Sequence, residues 1–130
     1  MTTVLLDSHV VHWWAGEPER MSAEATRAVS EADELAIAAI SWYELAWLAE
    51  HGRLTLRIPL RSWLDQLARE LRTAPLTPAI AAAAVALPPS FPRDPADRMI
   101  YATALEHGWR LVTKDARLLG HDPERGVALW

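Results

Sequence analysis

Apolar residues in this chain keep two rhythms in turn. Short unbroken runs, VLL within residues 3–6, LAIAAI at 35–40 and RLVT at 110–113, are long enough for a buried strand and too short for a helix. Between them apolar positions recur at intervals of three and four, the spacing of one helix face. The pattern predicts a strand over Thr3–Leu6 that ends at Asp7, then a helix through Val10, Val11, Trp13 and Trp14, stopped by Gly16 and Pro18. A helix over MSAEATRAVSEAD follows, with Ser22 as its N-cap, and then the second strand at 35–40. SWYELAWLAEHG (41–52) and PLRSWLDQLARE predict two further helices, the first closed by Gly52 and the second carrying Pro59 near its first turn. A short strand is expected within LRTAPLT, and the alanine-rich 79–87 segment is expected to be a short buried helix. A helix from Pro95 to His107, a break at Gly108, a strand at 110–113, a short helix in DARLLG and a terminal strand near Val127–Leu129 complete the order.

Strands alternating with helices, joined by more chain than a hairpin needs, imply a parallel sheet covered on both faces. At 130 residues a single domain spanning 1–130 is expected, and such a chain buries roughly two-thirds of its unfolded surface. Composition agrees, since 51% hydrophobic and 23% charged residues are a globular balance. The chain has no cysteine, which excludes disulfides, thiolate nucleophiles and Cys-ligated metals and suits a reducing cytoplasm. MTTVLLDS reaches an acid after three apolar residues and has no basic start, so no secretory signal is expected. Five prolines break the longest uncharged run, Pro75 to Pro92, and leave only about nine clean apolar residues against the ~20 that a membrane-spanning helix requires.

A net charge of −4 argues against a general electrostatic grip on nucleic acid, so any such role has to be local. The cations are twelve arginines and Lys114, with Arg53, Arg57 and Arg61 in one stretch and Arg93 and Arg98 in another. Arginine favours bidentate contact with phosphate or carboxylate.

The acids carry more information. In an open parallel sheet ligands bind at the carboxyl ends of the strands, and Asp7, Glu44 and Asp115 each stand just after a predicted strand. Asp94 and Asp97 open the helix at 95. Each has a structural explanation: Ser41 to Glu44 reads as a capping box, Asp94-Pro95-Ala96-Asp97 as nearly the same device, and Asp7 and Asp115 as caps. Yet Ile100, Tyr101, Ala104 and Leu105 follow Asp97 at helical spacing, so this carboxylate heads an apolar stripe. Glu44, followed by Trp47 and Leu48, is expected to point inward alike. Carboxylates gathered this way repel by roughly 3 kcal/mol per pair at ~5 Å and an effective dielectric of ~20.

An oxygen-seeking divalent cation, Mg²⁺ or Mn²⁺, relieves that repulsion and activates water against a phosphodiester. His9 and His12 lack a zinc motif around them and read as packing or surface residues. No G-x-S-x-G elbow, P-loop or G-x-G-x-x-G occurs.

LLDS, ISWYELAWL, FPRDPADRMIYATALEHG and LVTKD, in this order over nearly the whole chain, resemble the PIN domain of VapC-type toxin ribonucleases. DPADRMIYATA followed by LVTKD is the most specific part. The resemblance implies a three-layer α/β/α sandwich with a central parallel sheet, Mg²⁺- or Mn²⁺-dependent endoribonuclease activity on RNA, and a VapB-like antitoxin partner in a type II toxin–antitoxin system. It assigns the catalytic acids to Asp7, Glu44, Asp97 and Asp115, with metal on Asp7 and Asp97 and support from Ser8, Asp94 and Thr113. Arg93 and Arg98, beside the acids, are the expected phosphate-binding residues.

Two other readings compete. A receiver-like phosphoacceptor domain also groups acids at this sheet edge but wants a second acid after the first, where Ser8 and His9 stand. A binding-only PIN domain would have lost its acids, and four remain. The seven tryptophans, with leucine- and alanine-rich helix faces, are expected to lie mostly in the core; the remainder would serve a homodimer contact or an antitoxin groove.

Overall fold

The computed structural model describes residues 1–121 and 126–130. Thr3–Leu6 form β1 and Ser8–Gly16 form α1, followed by a 3₁₀ turn at Pro18–Arg20. Next come α2 (Ala23–Glu31), β2 (Glu34–Ala38), α3 (Ala39–Glu50), α4 (Leu60–Glu70) and β3 (Arg72–Ala74). The chain continues with α5 (Pro78–Ala86), α6 (Pro95–His107), β4 (Arg110–Val112), α7 (Ala116–Gly120) and β5 (Ala128–Leu129). All strands are parallel, in the order β3-β2-β1-β4-β5.

Burial explains the layers. β1 is buried along its whole length, as a strand covered on both faces must be. Val4, Leu6, Ile37 and Val112 face one side, where they pack with Val10, Val11, Ala25, Leu45 and Leu67 of α1 to α4. Leu5, Ala36, Ala38 and Leu111 face the other, against Ile100, Tyr101 and Ala104 of α6 and Leu118 of α7. Ile80 and Ala84 of α5 rest on Ala102, on the outer side of α6. This is the α/β/α sandwich expected from the sequence.

The caps are mostly those the sequence offers. Ser22 Oγ accepts from the Ala25 N–H at 3.0 Å, and Thr77 Oγ1 does the same for Ile80 at 3.2 Å. Gly108 takes a left-handed conformation (φ 69°) that turns α6 back toward β4, with the Trp109 N–H donating to Ala104 O at 3.0 Å.

One expectation fails. The run LAIAAI is not all strand: β2 stops at Ala38 and α3 begins at Ala39, inside the run. A continuous apolar run has no periodicity to mark where extended backbone gives way to helix. The tryptophans join the core mainly from its margin: Trp13 is buried, Trp14, Trp42, Trp63 and Trp130 are partly covered against one face of the sheet's core and Trp109 against the other, and Trp47 is 42% exposed. Their polar edges reach partners at the surface, as when Trp42 Nε1 donates to Thr73 Oγ1 at 2.9 Å. Among the described residues no helix is long and apolar enough to cross a membrane.

Candidate active site

The chain fills the sheet outward from β1 in one direction, through β2 to β3, and then resumes on the other side with β4 and β5. The order reverses between β1 and β4, and at such a switch point the two flanking connections part and leave a crevice at the carboxyl edge. Asp7 follows β1 and Asp115 follows β4. Between β4 and this edge the backbone is held tightly, with the Asp7 N–H on Val112 O and the Thr113 N–H on Leu129 O, both at 3.0 Å.

A cleft of about 450 Å³ opens there, lined by Asp7, Glu44, Asp94, Asp97 and Asp115 together with Ser8, His9, Trp13, Lys114 and Arg117. The structure thus brings all five sequence-predicted acids to one place. α1, α6 and α7 start at this edge, so the positive ends of their dipoles face the carboxylates.

Each acid is held differently. Asp7 caps α1 through the Ser8 N–H (2.8 Å) and accepts from Thr113 Oγ1 at 2.7 Å. Burial still raises its carboxyl above the ordinary aspartate value, against those two hydrogen bonds. Glu44 Oε1 accepts from Ser8 Oγ at 2.7 Å; burial, and then the charges of Asp7 and Asp94, raise its carboxyl too. Asp97 is 9% exposed, and burial with the charges of Asp94, Asp7 and Asp115 pushes it up to about 7 despite the Arg117 guanidinium. Asp115 goes the other way, lowered chiefly by its hydrogen bond from Arg117. Asp94 caps α6 through the Ala96 N–H at 3.1 Å.

The capping-box readings need correction. Because α3 starts at Ala39, Ser41 is not its N-cap, and no side chain caps this helix. Ser41 Oγ is buried without a hydrogen-bond partner. Glu44 therefore lies in the second turn, where it reaches Ser8 rather than the backbone of residue 41. It stands at the margin of the buried face, since Leu45 is buried but Trp47 is exposed. In α6 the cap is made by Asp94, while the Asp97 carboxylate turns to Arg117.

The two arginines expected at phosphate are not in the cleft. Arg98 donates to five backbone carbonyls, Ala84, Leu87, Pro88, Phe91 and Pro92, at 2.9–3.3 Å, and so ties the end of α5 and the following loop to α6. Arg93 is exposed and does not line the cleft. The basic residue at the acids is Arg117, whose Nη2 stands 3.2 Å from Asp97 Oδ2 and 2.9 Å from Asp115 Oδ2. Sequence reasoning missed it because Asp97 and Arg117 are brought together only by the adjacency of α6 and α7. The one available signal was Arg117 two residues after an acid that caps a helix.

An oxygen-only donor set of clustered carboxylates suits a hard divalent cation. Three of them are held above their ordinary range by burial and mutual repulsion, the condition a cation relieves. Their spacing is open, however, and among the described residues no group of three or more His, Asp or Glu stands ready to hold a metal ion. Arg117 supplies the positive charge instead.

Comparison with known proteins agrees with this architecture. VapBC2 from Rickettsia felis, solved bound to a DNA fragment from its promoter, superposes with a TM-score of 0.73 at 14% identity over 99% of both chains. A toxin–antitoxin complex from Klebsiella pneumoniae gives 0.70 at 19% identity, covering 98% of this chain and 96% of the other. At such identities these establish the fold. Ribonuclease VapC22 from Mycobacterium tuberculosis strain H37Rv is 65% identical over 130 residues, all of both chains. With the PIN domain pattern matching residues 4–122 and a VapC relative matching from end to end, this chain belongs to the PIN domain family, among its VapC-type members.

Proposed function

We propose that the chain is a single-domain, metal-dependent endoribonuclease acting in the cytoplasm, the toxin of a type II VapBC-like pair. The observation that carries the reading is that Asp7, Glu44, Asp97 and Asp115, three of them at helix starts and Glu44 in the second turn of α3, line one cleft at the switch point of the sheet. The name of its 65% identical relative, a ribonuclease, and two structural neighbours solved as toxin–antitoxin complexes support it.

In this reading Asp7 and Asp97 hold Mg²⁺ or Mn²⁺, and Glu44 and Asp115 complete the set. The bound cation supplies charge neutralisation and Lewis-acid polarisation at the RNA phosphodiester. Ser8 and Thr113 keep Glu44 and Asp7 oriented through their 2.7 Å hydrogen bonds. Asp94 holds the start of α6, and with it the position of Asp97. Arg117 balances Asp97 and Asp115 while no other cation does, and its side chain, 63% exposed, is free to turn toward a substrate phosphate. The neighbouring, largely apolar cleft, with Tyr43 66% and Trp47 42% exposed on its wall, is the surface we assign to a VapB-like antitoxin or to the second copy in a homodimer.

The test compares RNA cleavage by wild type and Asp97→Asn in Mg²⁺, with an EDTA control. The loss should exceed the roughly 10–100-fold that removing a supporting partner of a metal ligand costs. Wild-type cleavage by Asp97→Asn rejects the assignment of that residue. A wild-type chain that binds RNA and never cuts it, in Mg²⁺ or Mn²⁺, supports the binding-only reading.

A further inference from the structure

An acidic cleft repels the strand it is to cut, and the rest of a chain with net charge −4 offers no general attraction. Cations must therefore meet the RNA backbone locally. Arg98 is committed to carbonyls, and Arg117 stands among the acids of the cut site itself, where it serves the reacting phosphate and not the strand beyond it. Lys114 remains: it lines the cleft, is exposed, and among the described residues is paired with no carboxylate. Its Nζ sits 5.6 Å from the ring centre of Trp13 and 5.9 Å from that of Trp130, so two indoles fix where the ammonium stands.

Trp13 carries a second cation. The Arg20 guanidinium lies 5.1 Å from the same ring, and Arg20 lines a separate cleft of about 370 Å³ that shares only His9 and Trp13 with the acidic one. Arg53 lines this second cleft as well, exposed and paired with no acid among the described residues. Its one described acid is Glu17, already held by His12 at 3.3 Å and Arg20 at 3.4 Å. The two clefts thus differ in sign and meet at Trp13, which is only 8% exposed and so acts as a support for cations, not as an open stacking platform.

Resting on the nuclease reading above, we propose that single-stranded RNA leaving the acidic cleft crosses Trp13 into the second cleft, with Lys114, Arg20 and Arg53 as its phosphate contacts. The lane gives the enzyme its hold on a strand longer than the cut site, and it explains how an acidic protein binds a polyanion.

The experiment measures binding of a short labelled single-stranded RNA by fluorescence anisotropy across a salt series, in an Asp97→Asn background that prevents cleavage. Lys114→Gln and Arg53→Gln should each weaken binding severalfold and lower the slope of log affinity against log salt by about 0.7, the value of one lost phosphate contact on a single strand. Arg61→Gln, on α4 and paired with Asp65, should change neither. The lane is overturned if the Arg53 variant keeps the parent's affinity and slope, if the parent binds no RNA, or if the variants lose affinity for polyglutamate and not for RNA. Wild-type cleavage of the same RNA is scored separately. Cutting with unchanged slopes in the variants removes the lane and keeps the nuclease; slope changes without cutting keep the lane and remove the nuclease.

Discussion

The starts of α3 and α6 look alike in sequence and are built on different physics. Both show a capping residue followed three positions later by an acid, and both deliver an acid to the cleft. At α6 side chains hold the start: Asp94 caps Ala96, Pro95 fits the first turn, and Arg98 fastens the preceding loop. At α3 no side chain caps anything, and the helix grows out of a buried strand whose neighbours fix its direction. The acid consequently comes from the first turn in one case and the second turn in the other. A cap motif therefore indicates that a helix begins nearby, and only packing decides at which residue.

The largest expected effect breaks the α6 side of this comparison. Arg98→Ala leaves five carbonyls without their donor and removes a positive charge from the end of α5. Hydrogen bonds to charged groups are worth more than neutral ones, and their partners here lie mostly away from water, so urea unfolding should show a loss of about 2–4 kcal/mol. Arg93→Ala, exposed on the same loop, should stay within about 0.5 kcal/mol. A loss below that of a single ordinary hydrogen bond for Arg98→Ala would reject the clamp.

The second effect reads the strain on the two acids through pH. Asp97 titrates near 7 in the folded protein and near 3.8 when unfolded, so between those values the folded state binds the extra proton. Stability conferred by that proton is present at low pH and is lost as pH rises through about 7. The full shift corresponds to ~4 kcal/mol, but the cleft is open to solvent screening, and about 1–2 kcal/mol is expected between pH 5 and 8 without divalent metal. Asp97→Asn should flatten this part of the stability profile and raise the melting temperature at pH 8. The Glu44 shift has the same sign, so Glu44→Gln should flatten the profile as well. An unchanged slope in Asp97→Asn would mean that Asp97 is not the strained acid.

Much of this was legible in the sequence for a physical reason. Strand residues buried on both faces must be apolar, so β1 and the carboxyl-terminal residues of β2 and β4 stand out, and acids placed just after them are carried to the carboxyl edge by topology alone. Asp97 was legible because its helix has a clear stripe, with Ile100, Tyr101 and Ala104 buried beneath it. What was hidden depends on long side chains choosing among partners. Arg98 and Arg93 are equally basic and equally close to the acids in sequence, yet one turns to carbonyls and the other to solvent. Arg117 and Lys114 meet Asp97 and Trp13 only across elements. The α3 boundary was hidden because alanine and isoleucine in LAIAAI satisfy a strand and a buried helix start equally well.

The smallest effect is a matter of sign. At α6, Asp94→Ala removes a cap with a partner and should cost about 1 kcal/mol. If α3 began at Ser41, as the motif suggests, Ser41→Ala would cost about the same. In the structure Ser41 lies inside the helix, fully buried, with its hydroxyl unpartnered, so its burial is a cost that no hydrogen bond offsets. Alanine removes that cost and is the better helix former by a few tenths of a kcal/mol, so Ser41→Ala should leave stability unchanged or raise it by up to about 1 kcal/mol. Denaturant unfolding of the two variants side by side decides the matter. Opposite signs mean that one helix is started by its side chains and the other by the strand behind it; equal losses would restore the cap to Ser41 and move the start of α3 three residues along the chain.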